Sequence, residues 1–251
     1  MNVQDELSHL QKCAEIGKHF KNADLEHLDS PSSAYNYIRI ADVIAGHARR
    51  ETSKPTKFLD WGSGYGQLAW LLKNRGVNAA GYNVEKREHV DEIPLLSEIN
   101  AVYNSDPIKL PFEDESFDGI ISCGVLEHVS DPVASLKEIH RVLKRGGYFY
   151  IFMLPQKTSW VEKLSEWRGI SVHPVRYTVK SINKLLEQHG FCAENLWKFN
   201  LLPKNLTGLP RGIKRFYGRF YKIVYLLDSI FSKIPGLNLL SGVIEGISRK
   251  K

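Results

Sequence analysis

The stretch Lys57–Leu72 constrains this chain more than any other. It reads as a short apolar strand ending at Phe58-Leu59 and an acid, Asp60, at the strand's carboxyl edge. Three glycines, Gly62, Gly64 and Gly66, follow at alternate positions, and Leu68, Leu71 and Leu72 then return at helical spacing. A glycine loop between strand and helix lets backbone approach a ligand closely. The N–H groups of a helix start can hold an anionic group, while the fixed carboxylate of Asp60 suits a cationic one. An ordinary tight strand-to-helix turn explains part of the pattern, but not three alternating glycines behind an acid.

Dinucleotide sites use G-x-G-x-x-G and place a pyrophosphate on the helix start. The pattern here is D-x-G-x-G-x-G, which disfavours a nicotinamide-dependent oxidoreductase. It resembles the first motif of the class I S-adenosylmethionine-dependent methyltransferases. The resemblance implies that Asp60, Gly62, Ser63, Gly64 and Gly66 pack around the amino-acid end of that cofactor. A second block, Ser105–Cys123, contains D-x-x-x-L-P-F-x-x-x-S-F-D and resembles the same family. It implies Asp106 against the adenine amino group, with Pro107 and Cys123 counted among the cofactor contacts. At the end of the second strand the family usually carries an acid for the ribose hydroxyls. Asn83 stands there instead, a weaker acceptor than a carboxylate. Glu85, two residues on, is the alternative, and Asn83 is preferred.

Gly124–Pro132 follows the fourth strand, at the edge where open α/β sheets bind ligands. His128 is the first candidate for a general base, because an imidazole titrates near neutral pH. The plainer alternative is that Glu127 and His128 only fix the turn. The ubiquinone-pathway O-methyltransferases have a similar Glu-His pair with an acid three residues before the Glu, a set resembling a metal site. That position is Gly124 here, so no metal is assigned. His173 is the second base candidate, facing the acceptor by the same resemblance.

The expected fold class is α/β: a doubly wound, mostly parallel Rossmann-like methyltransferase sheet with N-terminal helices and a C-terminal amphipathic helical tail. The expected organisation is a helical cap over 1–55, a cofactor-binding domain over 56–200 and a basic tail over 201–251. Strands are expected at 57–59, 77–84, 101–103, 118–123, 148–153 and 192–199. Helices are expected at 5–20, 35–50, 68–72, from Asp131-Pro132, at 160–167, and at 179–189 with Thr178 as cap. The fold's usual final antiparallel strand has no evident counterpart in the sequence.

The formal charge of +6 is unevenly placed. From Arg211 onward there are nine bases against two acids, a net of +7, so the first 210 residues carry −1. A nucleic-acid enzyme more often spreads bases around its cleft, and no nucleic-acid partner is expected. Ile213, Phe216, Phe220, Ile223, Leu227 and Ile230 share one helical face, with most bases off it. That pattern suits an anionic membrane surface or a lid packed onto the body. Cys13, Cys123 and Cys192 have no zinc or disulfide spacing. The start of the chain lacks the features of a signal peptide, and the expected location is cytoplasmic, at the inner face of a membrane. The expected activity is in-line methyl transfer from S-adenosyl-L-methionine to an oxygen or carbon of a small-molecule, lipid or lipid-linked sugar acceptor. A non-catalytic cofactor-binding scaffold of the same fold is the alternative.

Overall fold

The computed structural model describes residues 1–20, 25–51, 56–95, 98–169, 173, 175–204, 206 and 209–251. The expected linker at 52–55 lies outside them. Seven strands form one sheet: β1 (Lys57–Trp61), β2 (Asn78–Asn83), β3 (Ala101–Tyr103), β4 (Phe117–Cys123), β5 (Leu143–Pro155), β6 (Phe191–Phe199) and β7 (Val243–Lys250). Their spatial order is β3-β2-β1-β4-β5-β7-β6. The first five are parallel, and β7 runs antiparallel to both of its neighbours. This is the doubly wound, mostly parallel sheet that the sequence predicts.

Burial explains the central strands. Phe58, Leu59, Asp60 and Trp61 are all buried, as expected of a parallel strand covered on both faces. On one face lie α1 (Val3–Gly17), α2 (Pro31–Glu51) and α3 (Gln67–Lys73), whose Leu10, Ile38, Ile44 and Trp70 share a core with Phe58 and Tyr150. On the other, Leu136 and Ile139 of α4 (Pro132–Val142) and Ile182 and Leu186 of α6 (Val179–Gln188) pack with Leu59, Ile120 and Phe149. Both latter helices start where side chains satisfy their first N–H groups. Asp131 accepts from the Ala134 N–H at 2.9 Å, with Pro132 in the first turn. Thr178 and Ser181 form a reciprocal capping box.

The chain winds one way from β1 to β3 and the other way from β4 onward. The strand order therefore reverses between β1 and β4, and a crevice opens beyond their carboxyl ends. Asp60, next to last in β1, and Cys123, the last residue of β4, lie at those ends, so the fold brings the glycine loop and the Gly124–His128 turn together.

The C-terminal segment departs from the expected tail. Val243–Lys250 lies within the sheet, between β5 and β6, and supplies the antiparallel strand missing from the sequence reading. The boundary at 200/201 thus does not separate the sheet from an appendage. Between β6 and β7 runs α7 (Arg211–Phe231), kinked at Phe220. Its inner face is Val224, Tyr225 and Asp228. Asp228 accepts from the Asn200 and Leu202 N–H groups at 3.1 and 2.7 Å and pairs with the buried Lys204 ammonium at 3.1 Å. The Tyr225 hydroxyl donates to the Ser32 carbonyl at 2.9 Å. The rest of α7 is mostly exposed, including Phe216, Phe220, Ile223, Leu226 and Ile230. Among the described residues, no helix is long and apolar enough to cross a membrane.

Candidate active site

The glycine loop is braced by its own chain. The Gly62 and Ser63 N–H groups donate to the Tyr82 carbonyl at 2.8 and 3.0 Å, and the Gly64 N–H donates to Asn83 Oδ1 at 2.9 Å. Gly62 is in the left-handed region (φ 73°), and a Cβ there would lie 2.5 Å from Val125. That glycine allows the glycine loop and the Gly124–His128 turn to touch. At Gly64 (φ 58°) a Cβ would meet almost open space.

Asn83 gives both amide hydrogens and one of its two Oδ1 lone pairs to the loop, which leaves one acceptor position free. Its Oδ1 holds the Gly64 N–H, and its Nδ2 donates to the Gly64 carbonyl at 3.0 Å and Ser63 Oγ at 3.3 Å. A side-chain amide both donates and accepts, so it clamps both backbone groups of one residue; a carboxylate would leave the Gly64 carbonyl without a donor. Asn83 lines the cavity beside the loop and keeps that one acceptor position. Glu85 is exposed and lines the same cavity. Asp106 follows β3 in the loop that leads to β4. It is exposed, and its Oδ1 accepts from the Ile108 and Lys109 N–H groups at 2.9 and 2.8 Å, which hold its carboxyl below the usual range. Neither Asp106 nor Pro107 lines the cavity beside the loop.

Asp60 is buried beneath the loop at 2% exposure, and its Oδ2 has no hydrogen-bond partner. Burial pushes its pKa up to about 7, partly offset by the Ala69 N–H. An orphaned buried carboxylate is costly unless a cation arrives to pair with it.

Two cavities meet at this edge. One, of about 630 Å³, runs from Gly62 past Asn83 and Glu85 to Val125. The other, of about 340 Å³, lies between α2, the ends of β4 and β5, and α5 (Trp160–Trp167), with Asn36, Tyr37, Cys123 and Met153 in its wall. Gly124 and His128 line both. Cys123 thus faces the second cavity rather than the one beside the loop, and burial keeps its thiol well above its ordinary pKa.

The His128 side chain is half exposed, and burial lowers its pKa, with His173 adding to the effect. The two imidazoles lie 5.5 Å apart, centroid to centroid. His173 Nδ1 is 2.9 Å from Glu162 Oε1, and that hydrogen bond raises its pKa. Glu127 is 2% exposed, with Oε2 unpartnered and its pKa pushed by burial up to about 7. Sequence reasoning singled out both histidines but not their meeting, because 45 residues separate them. Glu162 carried no sequence signal beyond its place in a helix.

Residues 59–151 match the family of methyltransferase domains. The chain carries a methyltransferase domain over these residues. An uncharacterized methyltransferase of Mycobacterium leprae is 29% identical over 148 residues, covering 58% of this chain and 52% of that protein. This chain therefore spans about half the length of that relative. A demethylmenaquinone methyltransferase of Chlorobaculum tepidum is 26% identical over 186 residues, covering 70% of this chain and 68% of the relative. The methyltransferase fold also recurs in the 1,6-didemethyltoxoflavin-N1-methyltransferase of Burkholderia thailandensis, solved with 1,6-didemethyltoxoflavin and S-adenosylhomocysteine bound. That structure matches with a TM-score of 0.53 and 16% identity over 86% of this chain and 78% of its own.

Proposed function

We propose that this methyltransferase transfers a methyl group from S-adenosyl-L-methionine to a small-molecule, lipid or lipid-linked acceptor. The observation carrying this reading is that the two cavities share the wall formed by Gly124 and His128. A donor beside the glycine loop and an acceptor in the smaller cavity would meet there. When bound, the cofactor supplies a methyl group already activated on a sulfonium. The chain's part is then mainly alignment and exclusion of water. Asp60 meets the charge of the cofactor's amino-acid end, and its orphaned oxygen fits an ammonium partner. The remaining acceptor position of Asn83 Oδ1, with the exposed Glu85 beside it in the cavity, meets the ribose hydroxyls. His128, neutral at neutral pH because burial lowers its pKa, sits at the junction as acceptor for a hydroxyl proton.

Calorimetric titration with S-adenosylmethionine and S-adenosylhomocysteine tests the cofactor half of this proposal; no heat with either would leave only the non-catalytic scaffold. Incubating cell extract fractions with protein and labelled methyl donor tests the other half. The His128→Ala variant is expected to slow transfer by about 10²-fold or more while cofactor affinity changes less than threefold. Equal turnover would remove His128 from the mechanism.

Among the relatives are proteins named for demethylmenaquinone methylation and for ubiquinone/menaquinone biosynthesis. We extend the proposal to a cytoplasmic protein docking at the inner face of a membrane, on the strength of α7. Phe216, Phe220, Ile223 and Ile230 are exposed at helical spacing, and Arg211, Lys214, Arg215, Arg219 and Lys222 accompany them. The groove between α2, β6 and α7 adds Arg50, Lys198 and Lys233, a lining suited to anionic headgroups. Replacing Phe216, Phe220 and Ile223 with Ser should lower cosedimentation with anionic liposomes at least tenfold without loss of fold. Undiminished binding would exclude α7 as the docking surface.

A further inference from the structure

We infer that Glu127, His128 and His173 form a binding site for a first-row divalent transition cation at the mouth of the acceptor cavity. The sequence assigned no metal because Gly124 occupies the position of the missing acid. The fold supplies a third ligand from elsewhere: His173 comes from the segment between α5 and α6. One ligand atom from each of the three residues lies within 4.8 Å of the others. Glu127 Oε1 and His128 Nε2 are 4.0 Å apart. Ligands bound at about 2.1 Å lie about 3.0–3.5 Å from one another, so loading draws each inward by about 1 Å. The half-exposed ring of His128 has room for that movement.

Two independent features favour a cation over a mere hydrogen-bonded turn. Glu127 is 2% exposed, lines the cavity, and leaves Oε2 without a partner. A carboxylate taken out of water in that way calls for a positive charge beside it. The His173 ring is held by Glu162, its Nδ1 2.9 Å from Oε1. With the Nδ1 proton donated to that carboxylate, Nε2 keeps its lone pair, the arrangement by which metal-binding histidines are oriented. Glu162 is fixed in turn by Arg176, whose Nε is 4.0 Å from its other oxygen. Two imidazoles and one carboxylate suit zinc, manganese, iron, cobalt or nickel rather than the all-oxygen preference of magnesium or calcium.

The consequence for catalysis rests on the methyl-transfer reading; the binding itself does not. The open coordination positions face the cavity, so the cation would take an acceptor oxygen and lower its pKa. The acceptor O–H then loses its proton to solvent water. The oxygen bonds to the methyl carbon, and the C–S bond breaks with its electron pair going to sulfur. In the loaded enzyme His128 is a ligand, and the cation replaces it as the group that makes the oxygen nucleophilic. The acceptor is thereby narrowed to one bearing a hydroxyl.

The test is titration of the chelator-stripped full chain with Co²⁺, followed by visible absorption and by metal content per chain. One tightly held Co²⁺ with intense, low-symmetry d–d bands is expected, displaced by Zn²⁺. Glu127→Gln and His173→Ala should each weaken binding at least tenfold, and Glu162→Gln, which only orients His173, about 10- to 100-fold. S-adenosylhomocysteine affinity, measured on the same samples, should be unchanged in all three and reports that they are folded. Wild-type protein that binds no stoichiometric Co²⁺, or that binds it as well after His173→Ala, would overturn the site. Bound Co²⁺ with no cofactor affinity would uphold the site and overturn the methyl-transfer reading instead.

Discussion

Asp60→Asn is expected to make the ligand-free protein more stable and the cofactor site weaker. Asp60 is buried, with one oxygen unpartnered, and its pKa of about 7 lies well above its ordinary 3.8. The folded chain therefore holds a proton that the unfolded chain has released across this window. Stability contributed by the group is full below about pH 4 and is lost as pH rises to about 7. A displacement of about three units corresponds to about 4 kcal/mol above pH 7. Asn keeps the shape without the charge, so denaturant unfolding should show a gain of a few kcal/mol near pH 8 that shrinks to little near pH 4. The same substitution should weaken S-adenosylmethionine binding about 10- to 100-fold, the usual worth of a charge-assisted contact. Wild-type affinity should also fall as pH drops below about 7, since the acid is then neutral. A variant that binds cofactor normally would show that Asp60 serves only the scaffold.

Removing Val243–Lys251 should abolish folding altogether, an outcome read by circular dichroism and size-exclusion chromatography. The segment pairs along its length with both β5 and β6. It also carries Glu245, fully buried, which accepts from the Arg39 guanidinium of α2 and from Trp197 Nε1 at 3.0 Å. Desolvation opposes the charge on Arg39, and Glu245 restores it. Glu245→Ala alone would leave that guanidinium buried and unpaired, at an expected cost of about 3–5 kcal/mol. A soluble, cooperatively melting truncation would show that the strand is dispensable. Membrane binding is accordingly tested with substitutions on α7, not with deletion of everything from Arg211.

What could be read from the sequence was what is local. The acid, three glycines and returning leucines all fall within sixteen residues, and so announce strand, loop and helix together. Asp131-Pro132 and Thr178 mark helix starts by chemistry that acts over three residues. The strand Val243–Lys250 escaped notice because its buried positions include Glu245, Ser248 and Lys250. Their partners, such as Arg39 and the carbonyls of His140 and Leu143, lie far away in the chain. The bracing contact of Asn83 was hidden for the same reason: the backbone it holds lies 19 residues earlier. The grouping of Glu127, His128 and His173 depends on where α5 and His173 lie against the end of β4, which no spacing encodes.

The position of β7 also fixes an order of events during synthesis. Leu143–Pro155 leaves the ribosome early, yet its neighbour in the sheet is not made until α5, α6, β6 and α7 have all emerged. Through that interval the nascent chain carries an unsatisfied β5 edge, joined towards its end by the greasy outer face of α7. Both features invite aggregation, so overproduction should yield more soluble protein when translation is slowed or holdase chaperones are abundant.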